Sequence, residues 1–260
     1  MAEERFTFTD GEAYERVIGR WSRLVAENFL TWLGEPLGLR WLDVGCGSGA
    51  FAERVLEDCS PSAVYGVDPS EEQLHFARNR LEMKSANFQL GGAESLPFDD
   101  ASFDAAAMAL VIAFVPDQAK GVAEMRRVVR PGGCVAAYMW DIAGGGVPTE
   151  PTLAAMRSLG ISYPDLGDPS CDNLKGLWQG AGLREVETRV IPVPVAFDSV
   201  NEYWSVNSAP GGPMHTQIAK LSPSEQKQLR ARVAELIPRD SKGDFSYFAP
   251  ANAVKGRVHA

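Results

Sequence analysis

Three glycines at alternate positions, in Gly45-Cys46-Gly47-Ser48-Gly49-Ala50, are the first residues of this chain whose type and spacing bear on chemistry. Alternating glycines let a backbone approach a ligand closely, and a helix that follows offers free N–H groups and the positive end of its dipole. A nucleotide-like ligand at the C-terminal edge of the preceding strand suits such a turn. Two acids bracket it: Asp43 stands two positions before the first glycine, and Asp68 ends the next apolar run, where a carboxylate accepts from ribose hydroxyls. Further on, Asp141 closes a later apolar run and His215 is expected in the Pro-Gly-rich loop SAPGGPMHT, both positions from which a general base can act. Alone, the glycine turn also fits a nicotinamide-dinucleotide fold, which accepts G-x-G-x-x-A.

These residues need elements to position them. Val17, Ile18, Trp21, Leu24, Val25 and Phe29 draw one apolar stripe, which predicts a helix from Tyr14 to about Leu33. Arg40 to Val44 reads as a short strand running into the glycine turn, and Phe51, Val55, Leu56 and Cys59 follow at helical spacing. The unit repeats: Ala63 to Asp68 is a strand, and Ser70-Glu71-Glu72-Gln73 is a capping box opening a helix through Leu81. Strands are expected at 87–90, 102–110 and 134–140, with a helix at 119–129. Alternating strands and helices with short connections imply a parallel sheet with helices on both faces. Beyond Asp141 the glycines and prolines of 143–170 read as a lid or insertion around a short helix at 153–159. A helix at 173–180, a strand at 185–197, a helix capped by Ser222 and a last strand at 245–258 complete the order, with Pro250 pointing to an edge or a bulge. Tyr203 and Trp204 suit either an aromatic pocket or lid packing.

Composition narrows the classes. A chain of 260 residues with 45% apolar and 23% charged content can bury roughly 70–75% of its unfolded surface, and no apolar run approaches a membrane span. The net charge of −9 argues against nucleic acid or an anionic membrane as partner, since both demand a basic surplus. Cys46, Cys59, Cys134 and Cys171 are too scattered for a disulfide framework or a zinc site, and no metal is expected. The acidic head MAEERFTFTDGEAYERV resembles neither a secretory signal nor a transit peptide, so the cytoplasm is the expected compartment.

The stretches WLDVGCGSGAF, VYGVDPSEEQL, GGAESLPFDDASFDAAAMAL and RPGG, in this order and spacing, resemble the class I S-adenosylmethionine-dependent methyltransferases. The likeness is strongest to the methyltransferase type 11 group, which includes ubiquinone and menaquinone C-methyltransferases, and it covers residues 40–142. It implies an α/β, Rossmann-like three-layer sandwich: a seven-stranded, mostly parallel sheet of order 3-2-1-4-5-7-6, the last strand antiparallel, with helical lid insertions. The whole chain is then one domain, with a cofactor core at 34–142 and lid elements at 1–33, 143–170 and 198–240. Carried over by residue, Gly45, Gly47 and Gly49 lie under the methionine part of S-adenosylmethionine and Asp43 supports its ammonium. Asp68 and Pro69 meet the ribose, Gly92, Ala93 and Glu94 the adenine edge, and Leu110 the cofactor from the fourth strand. Arg20 and Trp21, with Tyr14 as a catalytic candidate beside Asp141 and His215, lie on a helix that the family folds over the cofactor. Where the family often has Gly-Asp-Ala this chain has Gly91-Gly92-Ala93, so Glu94 or a backbone group must replace the acidic adenine contact. The implied activity is methyl transfer to an O, N or C nucleophile of a small organic molecule, by a monomer or homodimer that releases S-adenosylhomocysteine. The missing acid and the lack of a distinct catalytic motif leave a second reading, a protein that binds the cofactor without transferring its methyl group.

Overall fold

The described chain opens with α1 (Gly19–Leu33), whose Trp21, Val25, Phe29 and Leu33 recur four apart and are buried. Leu24, placed in the same stripe by its sequence spacing, is 37% exposed, because a turn of about 100° per residue carries it off the face that Val25 occupies. Gly34, in the left-handed region, donates its N–H to the Leu30 carbonyl and ends the helix. The computed structural model describes residues 19–80, 85–163, 167–208 and 214–259. Tyr14 and the expected helix end at Leu81 fall outside the described residues, as does the Arg20 side chain.

The strand and helix alternation follows as the apolar runs dictate: β1 (Arg40–Val44), α2 (Ala50–Cys59), β2 (Ala63–Asp68), α3 (Glu71–Asn79), β3 (Ala86–Leu90), β4 (Phe103–Ala109), α4 (Gln118–Val128) and β5 (Val129–Trp140). After these come α5 (Glu150–Ser158), α6 (Cys171–Gly180), β6 (Arg184–Phe197), α7 (Val200–Ser208), α8 (His215–Ala219), α9 (Pro223–Leu236) and β7 (Phe245–Arg257). The seven strands form one sheet of order β3-β2-β1-β4-β5-β7-β6. Strands β1 to β5 pair in parallel, and β7 lies antiparallel between β5 and β6. This is the α/β architecture read from the alternating elements and the strand order that the family resemblance implied.

Because side chains alternate across a strand, the sheet sorts its core into two layers. Trp41, Ala105, Ala107, Cys134, Ala136 and Tyr138 face α1, α2, α5, α7 and α9, while Leu42, Val44, Met108, Val135 and Met139 pack with Val122, Met125, Leu174 and Trp178 on the other side. Asp43 shares the period of Trp41 and so projects toward α1 and α2. The Trp178 indole N–H donates to the Val135 carbonyl (2.8 Å) and fixes α6 to the second face.

Two expectations are corrected. Arg130-Pro131-Gly132-Gly133 does not precede the fifth strand but lies within it: β4 pairs Phe103 with Val129 and then Ala105 with Cys134, so the motif is the extra loop of a bulge. Pro250 is on neither an edge strand nor a bulge. It sits in the interior strand β7, opposite Asp141, one step past the end of β5. There the Asp141 N–H donates to the Pro250 carbonyl, but proline has no N–H to return the bond, and the Asp141 carbonyl accepts from Gly146 instead. The missing donor releases the chain from the ladder into the 141–146 turn.

Helices α5, α7 and α9 pack onto the α1 face. Tyr203 of α7 is buried, and its hydroxyl lies within hydrogen-bond distance of the Thr152 amide (3.1 Å) and hydroxyl (2.9 Å) on α5. Its ring meets Phe197 edge-on at 4.9 Å, and Phe197 in turn meets Trp21 at 5.5 Å. Tyr203 is thus a packing and cross-linking residue rather than part of an exposed aromatic pocket. The Ser222–Glu225 capping box opens α9.

Candidate active site

The turn after β1 folds as its glycines require. Gly45, Gly47 and Gly49 have φ of 76°, 50° and 86°. A Cβ on Gly45 would stand 2.5 Å from Val111 Cγ1, so the first glycine lets the turn pass under the segment that leaves β4. A Cβ on Gly47 would meet nothing nearer than 4.0 Å, so this glycine faces open space. Val111 reaches that place through a strained neighbour: Leu110, a non-glycine residue with φ 62°, donates its N–H to the Tyr138 carbonyl and turns the chain off β4. Such strain persists where the surroundings impose it, and it clusters at binding sites.

Asp68 locks the turn from the second strand. Its Oδ2 accepts the Gly47 N–H (2.9 Å) and its Oδ1 the Ser70 N–H (2.8 Å), which also sets the start of α3, where the Ser70 side chain caps Gln73. Burial raises the Asp68 carboxyl above its ordinary range, against these two donors. Asp43 is treated differently. It is 2% exposed and neither carboxylate oxygen has a hydrogen bond of good geometry. Burial first, and the charge of Asp68 second, push its carboxyl up to about 8, with partial relief from the Ala52 N–H in the first turn of α2. Cys46 is buried beside both acids, and burial with their charge pushes its thiol well up, so it is a packing group and not a nucleophile.

A constellation that sequence reading missed braces the turn. Glu53, buried on α2, accepts Arg80 (2.6 Å) and lies 3.6 Å from Arg23 of α1, while Arg80 also donates to the Ser48 carbonyl (3.2 Å). An acid on the apolar face of α2, between Ala52 and Val55, was the available signal. Its partners lie 27 and 30 positions away, where no local pattern reaches.

The remaining expected site residues are distributed as follows. Leu110 stands beside the glycine turn through Val111, and Pro69 lies between Asp68 and the start of α3. Gly92 pairs with Ser95 in a short bridge and is open on its Cβ side, and Ala93 packs toward Gly121 of α4. Glu94 accepts the Asp117 N–H (3.2 Å) at the cap of α4. Trp21 is in the core against Phe197. Asp141 Oδ1 accepts the Gly144 N–H (3.2 Å), so its carboxylate holds the turn after β5. His215 is not in a loop but opens α8, with Nδ1 2.8 Å from the Ser208 carbonyl. A carbonyl only accepts, so Nδ1 carries the proton and neutral His215 keeps Nε2 as its acceptor.

The arrangement of glycine turn, two acids and helix N-terminus at one sheet edge agrees with the comparisons to known proteins. A model of the methyltransferase domain, type 11, matches residues 42–137. An O-methyltransferase of Aspergillus nomiae is 32% identical over 165 residues, 60% of this chain and 70% of that protein. The chloroplastic 2-phytyl-1,4-beta-naphthoquinone methyltransferase of Arabidopsis thaliana is 35% identical over 127 residues, 46% of this chain and 49% of that one. Other curated relatives are spanned over about a third to a half of their length. The fold is shared with a putative methyltransferase from an antibiotic biosynthesis pathway of Anabaena variabilis, at a TM-score of 0.66 and 16% identity over 92% of this chain and all of that one. Among the described residues no helix is long and apolar enough to cross a membrane. With motif, strand order and relatives in agreement, the chain belongs to the S-adenosylmethionine-dependent methyltransferase family that carries the type 11 methyltransferase domain.

Proposed function

We propose that the chain binds S-adenosylmethionine at the glycine turn and transfers its methyl group to a nucleophile on a small organic molecule. The observation that carries this is Asp43: a buried acid with no hydrogen bond to either oxygen is a polar group left incomplete by the protein itself, and an ammonium group is the complement it lacks. The open side of Gly47 and the uncapped start of α2 at Gly49 supply room and N–H donors beside it. The residues therefore fit the cofactor: Asp43 for the ammonium, Gly45 to Gly49 beneath the amino-acid part, Asp68 for the ribose hydroxyls with the lone pairs left by its two backbone donors, and Gly92 with Ala93 along the base.

When bound, the cofactor supplies an activated methyl electrophile, so the protein's work is orientation and exclusion of water. Leu110 and Val111 close one side of the turn, and the lid helices α5, α7 and α9 pack on the α1 face. Our candidate for taking a proton from the nucleophile is His215, whose ring is oriented by the Ser208 carbonyl with Nε2 as acceptor. The Aspergillus and Arabidopsis relatives, named for O-methyl and naphthoquinone methyl transfer, support a small-molecule acceptor.

Calorimetry tests the reading. S-adenosylhomocysteine should bind with micromolar affinity and Asp68→Ala should weaken it about 100-fold, the effect of losing charge-assisted hydrogen bonds. Absence of wild-type binding at millimolar ligand would sink the proposal. Binding without a methylated product across a broad panel of phenols, quinols and amines would instead mark a protein that holds the cofactor without using it.

A further inference from the structure

The two acids beneath the glycine turn are unequal in a way that bears on ligand loading. Each Asp68 oxygen accepts one backbone N–H, from Gly47 and from Ser70, which favours its ionised form. Asp43 has no such bond to either oxygen. Among the described residues its neighbours offer no paired countercharge: Gly66 and Ala107 stand opposite it on β2 and β4, Cys46 and Asp68 crowd it from the turn and from β2, α2 offers only the Ala52 N–H, and Arg23 of α1 lies against Glu53. Among the described residues no cation is hydrogen-bonded to Asp43: Arg80 is committed to Glu53 and the Ser48 carbonyl, and Arg78, whose charge reaches the adjoining Cys46, to Glu71 and the Phe88 carbonyl. Two acids that sense each other share their last proton unequally, and it settles where hydrogen bonds do not hold the anion.

We propose that ligand loading at this site releases a proton: the empty site keeps one on Asp43, and an incoming ammonium group displaces it. The O–H bond of the Asp43 carboxyl breaks, its proton passes to water or buffer, and the carboxylate left behind pairs with the ammonium. The inference rests on the cofactor reading above, and it makes affinity depend on pH. A group that loses its proton on binding favours the complex as pH rises. With the empty-site carboxyl at about 8, affinity should climb toward tenfold per pH unit between pH 6 and 7 and level off above pH 8.

The experiment is calorimetric titration with S-adenosylhomocysteine at pH 7 in phosphate and in Tris, buffers whose protonation heats differ widely. The expected result is a buffer-dependent heat equal to release of about one proton per ligand, shrinking toward pH 9. Asp43→Asn should bind more weakly and give equal heats in both buffers. Equal heats in the wild type, or a proton still released by the variant, would overturn the proposal. A second measurement needs no ligand. The folded carboxyl lies far above the unfolded value of about 3.9, so between those values the folded state holds the extra proton and loses stability as pH rises. The thermal midpoint of the wild type should therefore fall from pH 5 to pH 8 more steeply than that of Asp43→Asn, and parallel curves would also refute the idea. A wild type that bound no S-adenosylhomocysteine would count against the cofactor reading itself, and the melting curves would still decide where the proton sits.

Discussion

The two halves of the sheet end in opposite ways at the edge where β1 to β5 terminate. At β1 and β2 the chain spends unusual backbone on making room: left-handed glycines, a strained Leu110 next door, and a buried Asp43 left without a partner. Past β5 and around β6, polar groups are tied to one another: Asp141 to Gly144, Tyr203 to Thr152, the Tyr247 hydroxyl to the Pro148 carbonyl. What differs is the scale of the open bonding capacity: beneath the glycine turn both oxygens of Asp43 lack a hydrogen bond, whereas in the other, framing half single oxygens of Glu150 and Asn207 are open on side chains bonded at their other atom.

The sharpest attack on this contrast uses two glycines. Gly45→Ala drives a methyl into Val111 at a backbone angle that alanine resists, and should lower stability by about 2–4 kcal/mol and abolish S-adenosylhomocysteine binding. Gly47→Ala adds the same methyl to open space: it should cost only about 1 kcal/mol in a denaturant melt, yet weaken binding about 100-fold. Equal stability losses would mean that the space at Gly47 is not a ligand site. Next in size, once an acceptor is known, His215→Ala should cut kcat about 100-fold with cofactor affinity unchanged. Asp141→Asn should stay within threefold of wild type, because an amide oxygen still accepts the Gly144 N–H. Reversed effects would move the proton acceptor to Asp141, and wild-type kcat and pH profile in both would leave positioning as the whole of catalysis. In the framing half, Tyr203→Phe should lower stability by about 1–3 kcal/mol by taking the hydrogen-bond partner from the buried Thr152 hydroxyl, with S-adenosylhomocysteine affinity within twofold. A large loss of affinity would show that the two halves are coupled. The smallest effect is expected from Glu94→Gln, since that side chain serves the cap of α4: cofactor affinity should change less than twofold, and a tenfold loss would return Glu94 to the adenine edge.

What could be read from the sequence was whatever is written in consecutive residues. The strand, glycine turn, helix unit at 40–59 and its repeat at 63–79 are short-range patterns, and Asp43 and Asp68 were marked by their offset from the glycines. The opposite condition of those two acids was not visible, because it depends on which backbone N–H groups fold back onto each. Tyr203 meets Thr152 across 51 positions and Arg80 meets Glu53 across 27, and neither pair has a local signature. Pro250 misled because proline in a strand usually marks an edge. Here its neighbour strand ends at that residue, so the absent donor costs nothing.

The antiparallel strand β7 also governs the order in which the molecule can be assembled. Although β6 precedes it along the chain, β6 touches the sheet only through β7. On the ribosome, then, β6 leaves the exit tunnel before its sole docking edge exists, and β5 waits with one flank bare while about a hundred residues of helix, loop and β6 itself go by. The sheet closes in a single late stroke when β7 slides between them, the kind of long-range closure that is slow and leaves apolar edges open to other nascent chains until it is done.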